Sequence, residues 1–381
     1  MKKRKIIRIV TIPKSFDLFK GQMNFMKDSF DFVGVSSSGD NIPIVEEREG
    51  IKVKSIQLTR TISPIKDFLA LLKLVALLRK EKPDIVHTHT PKAGTIGMLA
   101  AYLSGIKHRV HTVAGMPLME VKGLKRLLLD NVEKITYACA TLVLPNSENL
   151  KKFILTNNYV GANKLNVIGN GSTNGIDTDF FSKENISENI ILEIRNKYKI
   201  SENDFVFLSV GRIVKDKGIV ELVKAFKKFN NLYPNSKLLM LGNFEKELDP
   251  LPGEIENEIN NNASIVYCGY QNDVRSFFVL SDIFVFPSYR EGFPNVVMQA
   301  GSMGIPSIVT NINGSNEIIK DGVNGYIVPV KKVEDIYEKM EVFYNDKETL
   351  EYMKDRCRYQ ILSRYEQKNV WNDMLKMYKE L

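Results

Sequence analysis

The 381 residues, 44% hydrophobic and 26% charged, are enough for two domains with separate cores, and three scattered cysteines without metal-ligand spacing exclude a disulfide-built fold and point to a reducing cytoplasm. The net charge of +8 is uneven: residues 1–180 hold 27 Lys+Arg against 16 Asp+Glu, and the remainder holds 26 against 29. A basic first half suggests an anionic partner; with no nucleic-acid module or basic–aromatic repeat, nucleic acid is not expected, and an anionic membrane surface or a diphosphate lipid fits better.

The chain opens with a charged start like that of a signal peptide, but Arg8 interrupts the apolar run and no small-residue cleavage site follows. A first strand over Lys5–Ile12 is predicted instead. Further strands are predicted over Asp31–Ser36, Val53–Leu58, Asp84–Thr88, Arg109–Val113, Thr141–Leu144 and Leu165–Ile168, with helices between them such as Ile65–Lys80 and Gly94–Ser104. This alternation predicts a doubly wound parallel sheet, whose ligands bind at the carboxyl ends of the strands. The apolar stretch Phe68–Leu78 is broken by Lys73 and too short to span a bilayer.

Loops after strands therefore carry the site candidates. After the first strand, Gly21 is either an ordinary turn or a point where backbone approaches a ligand. After the fourth, His87 reads as a packed strand residue, while His89, Thr90 and Lys92 lie at the exit. There Lys92 and a helix N-terminus can face an anion. His87 and His89 share a side with no Cys or carboxylate nearby in sequence, which argues against a metal. His111 lies in the fifth strand or at its mouth. In residues 116–130, Leu124, Leu127 and Leu128 share a helix face flanked by Lys122, Lys125 and Arg126. That face either packs on the sheet or docks on an anionic membrane.

The polar stretch Ser172–Asp204 marks a domain boundary, and Asp177-Thr178-Asp179 within it reads as a turn rather than a metal motif. The strand pattern then restarts at Phe205–Val210, Lys237–Leu241, Ile265–Cys268, Ile283–Phe286, Ser307–Val309 and Gly325–Val328. Arg212 and Lys217 flank the exit of the first of these and form a candidate diphosphate clamp, a planar fork and a point charge. Tyr270 follows the third, either stacking on a base or packing, and Asp273 is a candidate helix cap. After the fourth, Pro287–Val309 reads hinge, helix over Phe293–Met303, stop. Glu291 sits at that helix's positive end, beside the N–H groups of Phe293 to Val296. Residues from Lys332 to Leu381 read as helical, with Trp371, Met374, Leu375 and Tyr378 on one face of the last helix.

The stretch around Glu291-Gly292-Phe293-Pro294 resembles the Glu-x7-Glu core motif of retaining family 4 glycosyltransferases, with Gln299 in place of the second Glu. The Val210–Gly218 loop and the Asn-Gly-Ile-Asp turn ending at Asp177 are similar too. The resemblance covers nearly the whole chain and follows bacterial capsule and O-antigen sugar transferases. It implies the GT-B fold: an α/β chain with two Rossmann-like domains facing across a cleft. Those domains would be 1–182 on the acceptor side and 183–364 for the nucleotide sugar, with a terminal helix 365–381 crossing back to the first domain.

The resemblance also implies roles. Glu291 would be the catalytic carboxylate, gripping the donor sugar. Gly21, Arg212, Lys217, Tyr270, Gly292, Phe293, Pro294, Asn295 and Val296 would meet the donor, with Gln299 on its ribose. His89, Thr90, Lys92 and His111 would face the acceptor. Relatives often carry a histidine where this chain has Ala114, so no catalytic histidine is carried over. The implied reaction is retaining transfer from a nucleotide-diphosphate sugar, foremost a UDP-sugar, to a polyprenyl-diphosphate-linked glycan. It would need no metal or other cofactor and would run in the cytoplasm against the anionic inner membrane surface. The alternatives are a nucleotide-sugar 2-epimerase of the same fold, which needs titratable groups for proton abstraction, and a non-catalytic nucleotide-sugar-binding subunit, suggested by Gln299 and Ala114.

Overall fold

The computed structural model describes residues 2–381 apart from 60, 62, 117, 119–122, 246 and 248, and omits the side chain of Lys125. The chain forms two compact units, one of Met1–Gly175 with Lys368–Leu381 and one of Ile176–Gln367.

Unit 1 is built on six parallel strands: β1 (Arg4–Ile9), β2 (Phe30–Ser36), β3 (Lys52–Ser55), β4 (Ile85–His89), β5 (His108–Val113) and β6 (Leu142–Pro145), in the order β3-β2-β1-β4-β5-β6. Both faces are covered, and β1 is buried from Ile6 to Ile9, Arg8 included. Ile7 and Ile9 point into one cluster with Val35, Leu74 and Ile96. Ile6 and Val10 point into the other with Phe16, Phe19, Met374 and Tyr378. The strand expected over Leu165–Ile168 does not form; Leu165 makes one isolated bridge to Val143. Its apolar residues are buried by packing rather than by pairing.

Unit 2 repeats the plan with β7 (Phe205–Val210), β8 (Ser236–Leu241), β9 (Ile265–Gly269), β10 (Ile283–Phe286), β11 (Ser307–Thr310) and β12 (Gly325–Val328), in the order β12-β11-β10-β7-β8-β9. Phe207 enters one face's cluster and Val206 and Leu208 the other. In each sheet the winding reverses between two neighbouring strands, β1 and β4 in unit 1, β7 and β10 in unit 2. In open α/β sheets ligands bind at such a reversal, outside the carboxyl ends of the strands.

Three helices end the chain: Val333–Asn345, Lys347–Tyr365 and Gln367–Glu380. The first two serve unit 2, through Met340, Phe343, Ile361 and Tyr365. The third serves unit 1. It changes allegiance at Lys368 because Tyr365 and Gln367 are still tied to Ile176 by backbone hydrogen bonds of 2.8 and 3.0 Å.

Candidate functional site

In unit 2 the residues of the predicted clamp and the motif carboxylate meet at the winding reversal. The loop after β7 carries Arg212 and Lys217, and the loop after its neighbour β10 carries Glu291. The Lys217 ammonium donates to Glu291 Oε1, and the two side chains are 16% and 19% exposed. This closeness depends on Gly218. Its φ of 70° is left-handed, and a Cβ there would lie 2.0 Å from the Pro287 carbonyl oxygen. Only glycine lets the two loops touch.

A set of buried polar groups fixes the Glu291 loop. Ser288, fully buried, donates to Glu291 Oε1 at 3.2 Å or to the Arg290 carbonyl at 3.0 Å. Thr310 donates to the Ser288 carbonyl, and Asn313 donates to the Gly292 carbonyl at 2.7 Å. Asp216 accepts from Arg290 Nη2 at 3.0 Å and lies 3.7 Å from Arg212, whose Nη1 donates to Glu245 at 3.0 Å. Ser288, Asp216 and Asn313 were not among the sequence candidates. Two flank known motif positions; Asn313 sits after β11, and no sequence signal linked it to Gly292.

The helix following Glu291 spans Asn295–Ser302, with Pro294 at its N-cap and no side chain capping it. It starts two residues later than expected. A residue before proline is pushed to extended backbone, so Phe293 stays outside. The N–H groups presented at this end are therefore those from Asn295 onward, while Gly292 and Phe293 belong to the approach. Val296 is partly exposed, and Val297 and Ala300 are buried. Gln299 is partly exposed, and among the described residues its amide makes no side-chain hydrogen bond. Tyr270, after β9, is 64% exposed. Asp273 accepts from the Arg275 N–H at 3.0 Å and clamps the Arg275 guanidinium. Asp177 accepts from the Phe180 N–H at 2.8 Å, closing a turn. Among the described residues no group of three His, Cys, Asp or Glu side chains is placed to hold a metal.

Unit 1 corrects several expectations. His89 is 1% exposed, its ring 4.1 Å from that of His87 and 4.2 Å from Phe19, with neither ring nitrogen hydrogen-bonded. His111 is buried, hydrogen-bonded to Thr88 at 2.8 Å. Neither ring is presented at a strand exit. Burial pushes the pKa of His111 down to about 4 and holds His89 and His87 well below the ordinary histidine range. Gly21 does not offer its N–H to a ligand: that group donates to buried Glu49 at 2.8 Å, and Trp371 covers the Cα. Lys92 is paired with Asp67 at 2.6 Å. Thr90 remains at the exit of β4 with a φ of 71°, strained for threonine, and its Oγ1 lies 2.8 Å from that of Thr11.

The Gly123–Cys139 helix keeps Leu124, Leu127 and Leu128 exposed instead of packing them on the sheet. Arg126 does not flank that face as a solvated cation, because it holds Asp130 at 2.7 Å and the Leu118 carbonyl at 2.8 Å. Lys122 and the side chain of Lys125 lie outside the described residues.

Comparison with known proteins fits this geometry. The Glycosyl transferases group 1 model matches residues 190–360, and a Glycosyl transferase 4-like domain model matches residues 28–171. A capsular polysaccharide biosynthesis glycosyltransferase, CapM of Staphylococcus aureus, is 36% identical over 380 residues, 99% of this chain and 97% of that protein. The chain belongs to the family 4 glycosyltransferases. This hexosyltransferase is also 32% identical over 313 residues to an Escherichia coli UDP-Gal:α-D-GlcNAc-diphosphoundecaprenol α-1,3-galactosyltransferase, covering 80% of this chain and 78% of that one. Among solved structures it shares its fold with Anabaena HepE in complex with UDP (TM-score 0.81, 17% identity, 100% of both chains) and a Rickettsia africae glycosyltransferase (TM-score 0.84, 19% identity, 100% and 99%). The fold is GT-B.

Chemically, the glycosyltransferase presents in unit 2 a cation, a carboxylate and an uncapped helix N-terminus at one sheet reversal. The first and last suit a diphosphate, and the carboxylate suits sugar hydroxyls.

Proposed function

We propose that this chain moves a hexose, with retention of anomeric configuration, from a UDP-sugar to an undecaprenyl-diphosphate-linked saccharide of a surface polysaccharide, against the anionic inner membrane surface and without a divalent metal. The observation that carries the reading is the Lys217–Glu291 pair beside the N-terminus of the Asn295–Ser302 helix. It occurs in a chain whose relatives act on diphosphoundecaprenol acceptors. Lys217, Arg212 and the helix N–H groups would neutralise the leaving diphosphate, the role a metal plays elsewhere. Arg212 would exchange Glu245 for phosphate. Glu291 would hold donor hydroxyls and set the anomeric carbon, and Gln299 would meet the ribose. Unit 1 would receive the acceptor. Its basic surplus favours an anionic membrane, and no helix among the described residues is long and apolar enough to cross one.

The test incubates the purified protein with a panel of nucleotide sugars and a GlcNAc-diphospholipid, in EDTA and in magnesium, and reads the anomeric configuration of the product by NMR. Transfer with retention, equal in EDTA, is expected. Exchange at sugar C2 in D2O without transfer would establish an epimerase instead, and activity restored only by a divalent ion would overturn the metal-free clamp.

A further inference from the structure

Away from the Lys217–Glu291 site, unit 1 contains a cavity of about 390 Å³. Its floor is the Pro91–Leu103 helix, which packs against both the Pro64–Glu81 and Gly123–Cys139 helices, and those two form its walls. Leu71, Ile96, Leu99, Leu128 and Val132 give it an apolar lining. Its polar groups are few. Lys92 and Asp67 pair at 2.6 Å where the floor helix leaves β4, and both line the cavity. Glu133 lines the opposite wall, its carboxyl pKa raised by burial. The walls continue outward as exposed apolar side chains, Phe68 and Leu72 on one helix and Leu124 and Leu127 on the other.

From this the geometry points to a trough that binds the proximal isoprene units of a prenyl diphosphate, with Lys92 leaving Asp67 for the diphosphate. This inference rests on the acceptor class proposed above. A trough walled by two helices takes one chain, and a single ammonium at its end takes one anionic headgroup. A prenyl diphosphate has one tail and one diphosphate, whereas a glycerophospholipid brings two tails. Lys92 is two residues beyond strained Thr90 at the exit of β4, so the reactive saccharide end of such a lipid would project at the strand exits, where ligands of open α/β sheets bind. Pairing Lys92 with Asp67 keeps a cation from standing unpaired in apolar surroundings until an anion replaces the carboxylate. The exposed leucines would extend the same apolar contact to later units or to the bilayer.

The experiment measures acceptor KM with GlcNAc-diphosphates bearing tails from methyl to four isoprene units, below micellar concentration and without vesicles. Straight alkyl tails of equal carbon number run alongside. KM is expected to fall about tenfold or more per isoprene unit entering the trough, as buried apolar carbon predicts, then level off, with weaker gains for alkyl tails. In Val132→Trp, which fills the trough, and in Leu128→Asp, the dependence on tail length should flatten, while a thermal shift with UDP confirms the fold. Transfer with no dependence on tail length, or equal gains for prenyl and alkyl tails, would overturn the trough and leave the transferase intact. Failure to transfer to any acceptor while UDP binds would overturn the acceptor reading itself.

Discussion

A carboxylate paired with a lysine contributes little until a substrate separates them. Glu291 and Lys217 hold each other in this structure, and each has a separate task in the proposed reaction: hydroxyls for one, diphosphate for the other. Glu291→Ala is therefore expected to lower kcat roughly 100-fold or more while changing donor affinity only several-fold, the signature of an interaction made in the transition state. Isothermal titration with UDP-sugar beside turnover checks this; near-normal turnover would remove Glu291 from the mechanism. Gln299→Glu is expected to remain active, with donor affinity shifted by about 1 kcal/mol, because a carboxylate accepts what the amide accepted but donates nothing. Complete loss of activity in a folded Gln299→Glu protein would rule out a ribose contact. Glu291, Arg212 and Lys217 were legible because strand ends and motif spacing fix where they fall. Asp216 and Asn313 were less so, since each acts through a partner on another strand's loop, and Ser288 read only as part of a polar hinge. His89 was expected at the exit and is buried, and His111, left open between strand and mouth, lies in the strand, because spacing does not tell which residue is the last one inside.

Two neighbouring strands, β4 and β5, bring three buried histidines into unit 1. All three have pKa values depressed by burial, so the folded state holds them neutral while the unfolded chain protonates near pH 6.5. Below that pH the unfolded state binds more protons, and stability falls as pH falls. For His111 the loss begins near 6.5 and is complete near 4, a difference of about 3 kcal/mol by linkage. Urea titrations from pH 7 to 4.5, followed by the fluorescence of Trp371, the only tryptophan and a unit 1 residue, should show this slope. His111→Gln should be less stable than wild type at pH 7 and have a slope shallower by up to one proton. An unchanged slope would mean the ring is already protonated when folded. Elements this regular were the easiest to read: β7, β10 and β12 match the sequence expectation to the residue. The failures were local. An apolar run at Leu165–Ile168 looked like a strand because burial and pairing leave the same pattern, and a proline delayed a helix by two residues.

At the scale of the molecule, two βα series and a boundary near residues 172–204 were visible from alternation alone, while the order of the strands was not, because nothing local records which strands neighbour each other. The closing of unit 1 by a distant segment is the other long-range feature. Arg8, on β1, is fully buried, and among the described residues it has no carboxylate partner. Its Nε and Nη2 donate to Tyr378 Oη at 3.1 and 2.9 Å, and its guanidinium lies over Phe19 at 4.7 Å and Tyr378 at 5.5 Å. The same Tyr378 oxygen meets His87 Nδ1, and burial raises the Tyr378 pKa. A sequence pattern showed Tyr378 as part of an apolar face, and its hydroxyl's work against a buried cation was invisible there. Removing that hydroxyl leaves a charged group and a histidine nitrogen unsatisfied in low dielectric, which costs roughly 3 kcal/mol. Tyr378→Phe should accordingly shift the Trp371-detected urea transition to lower denaturant. Arg8→Met combined with Tyr378→Phe should lie closer to wild type than the sum of the two single changes, because deleting both partners removes the orphaned charge along with its acceptor. Strict additivity would show that the cation is satisfied by the aromatic rings alone and that the chain's last helix is held to unit 1 by apolar packing, without the hydroxyl.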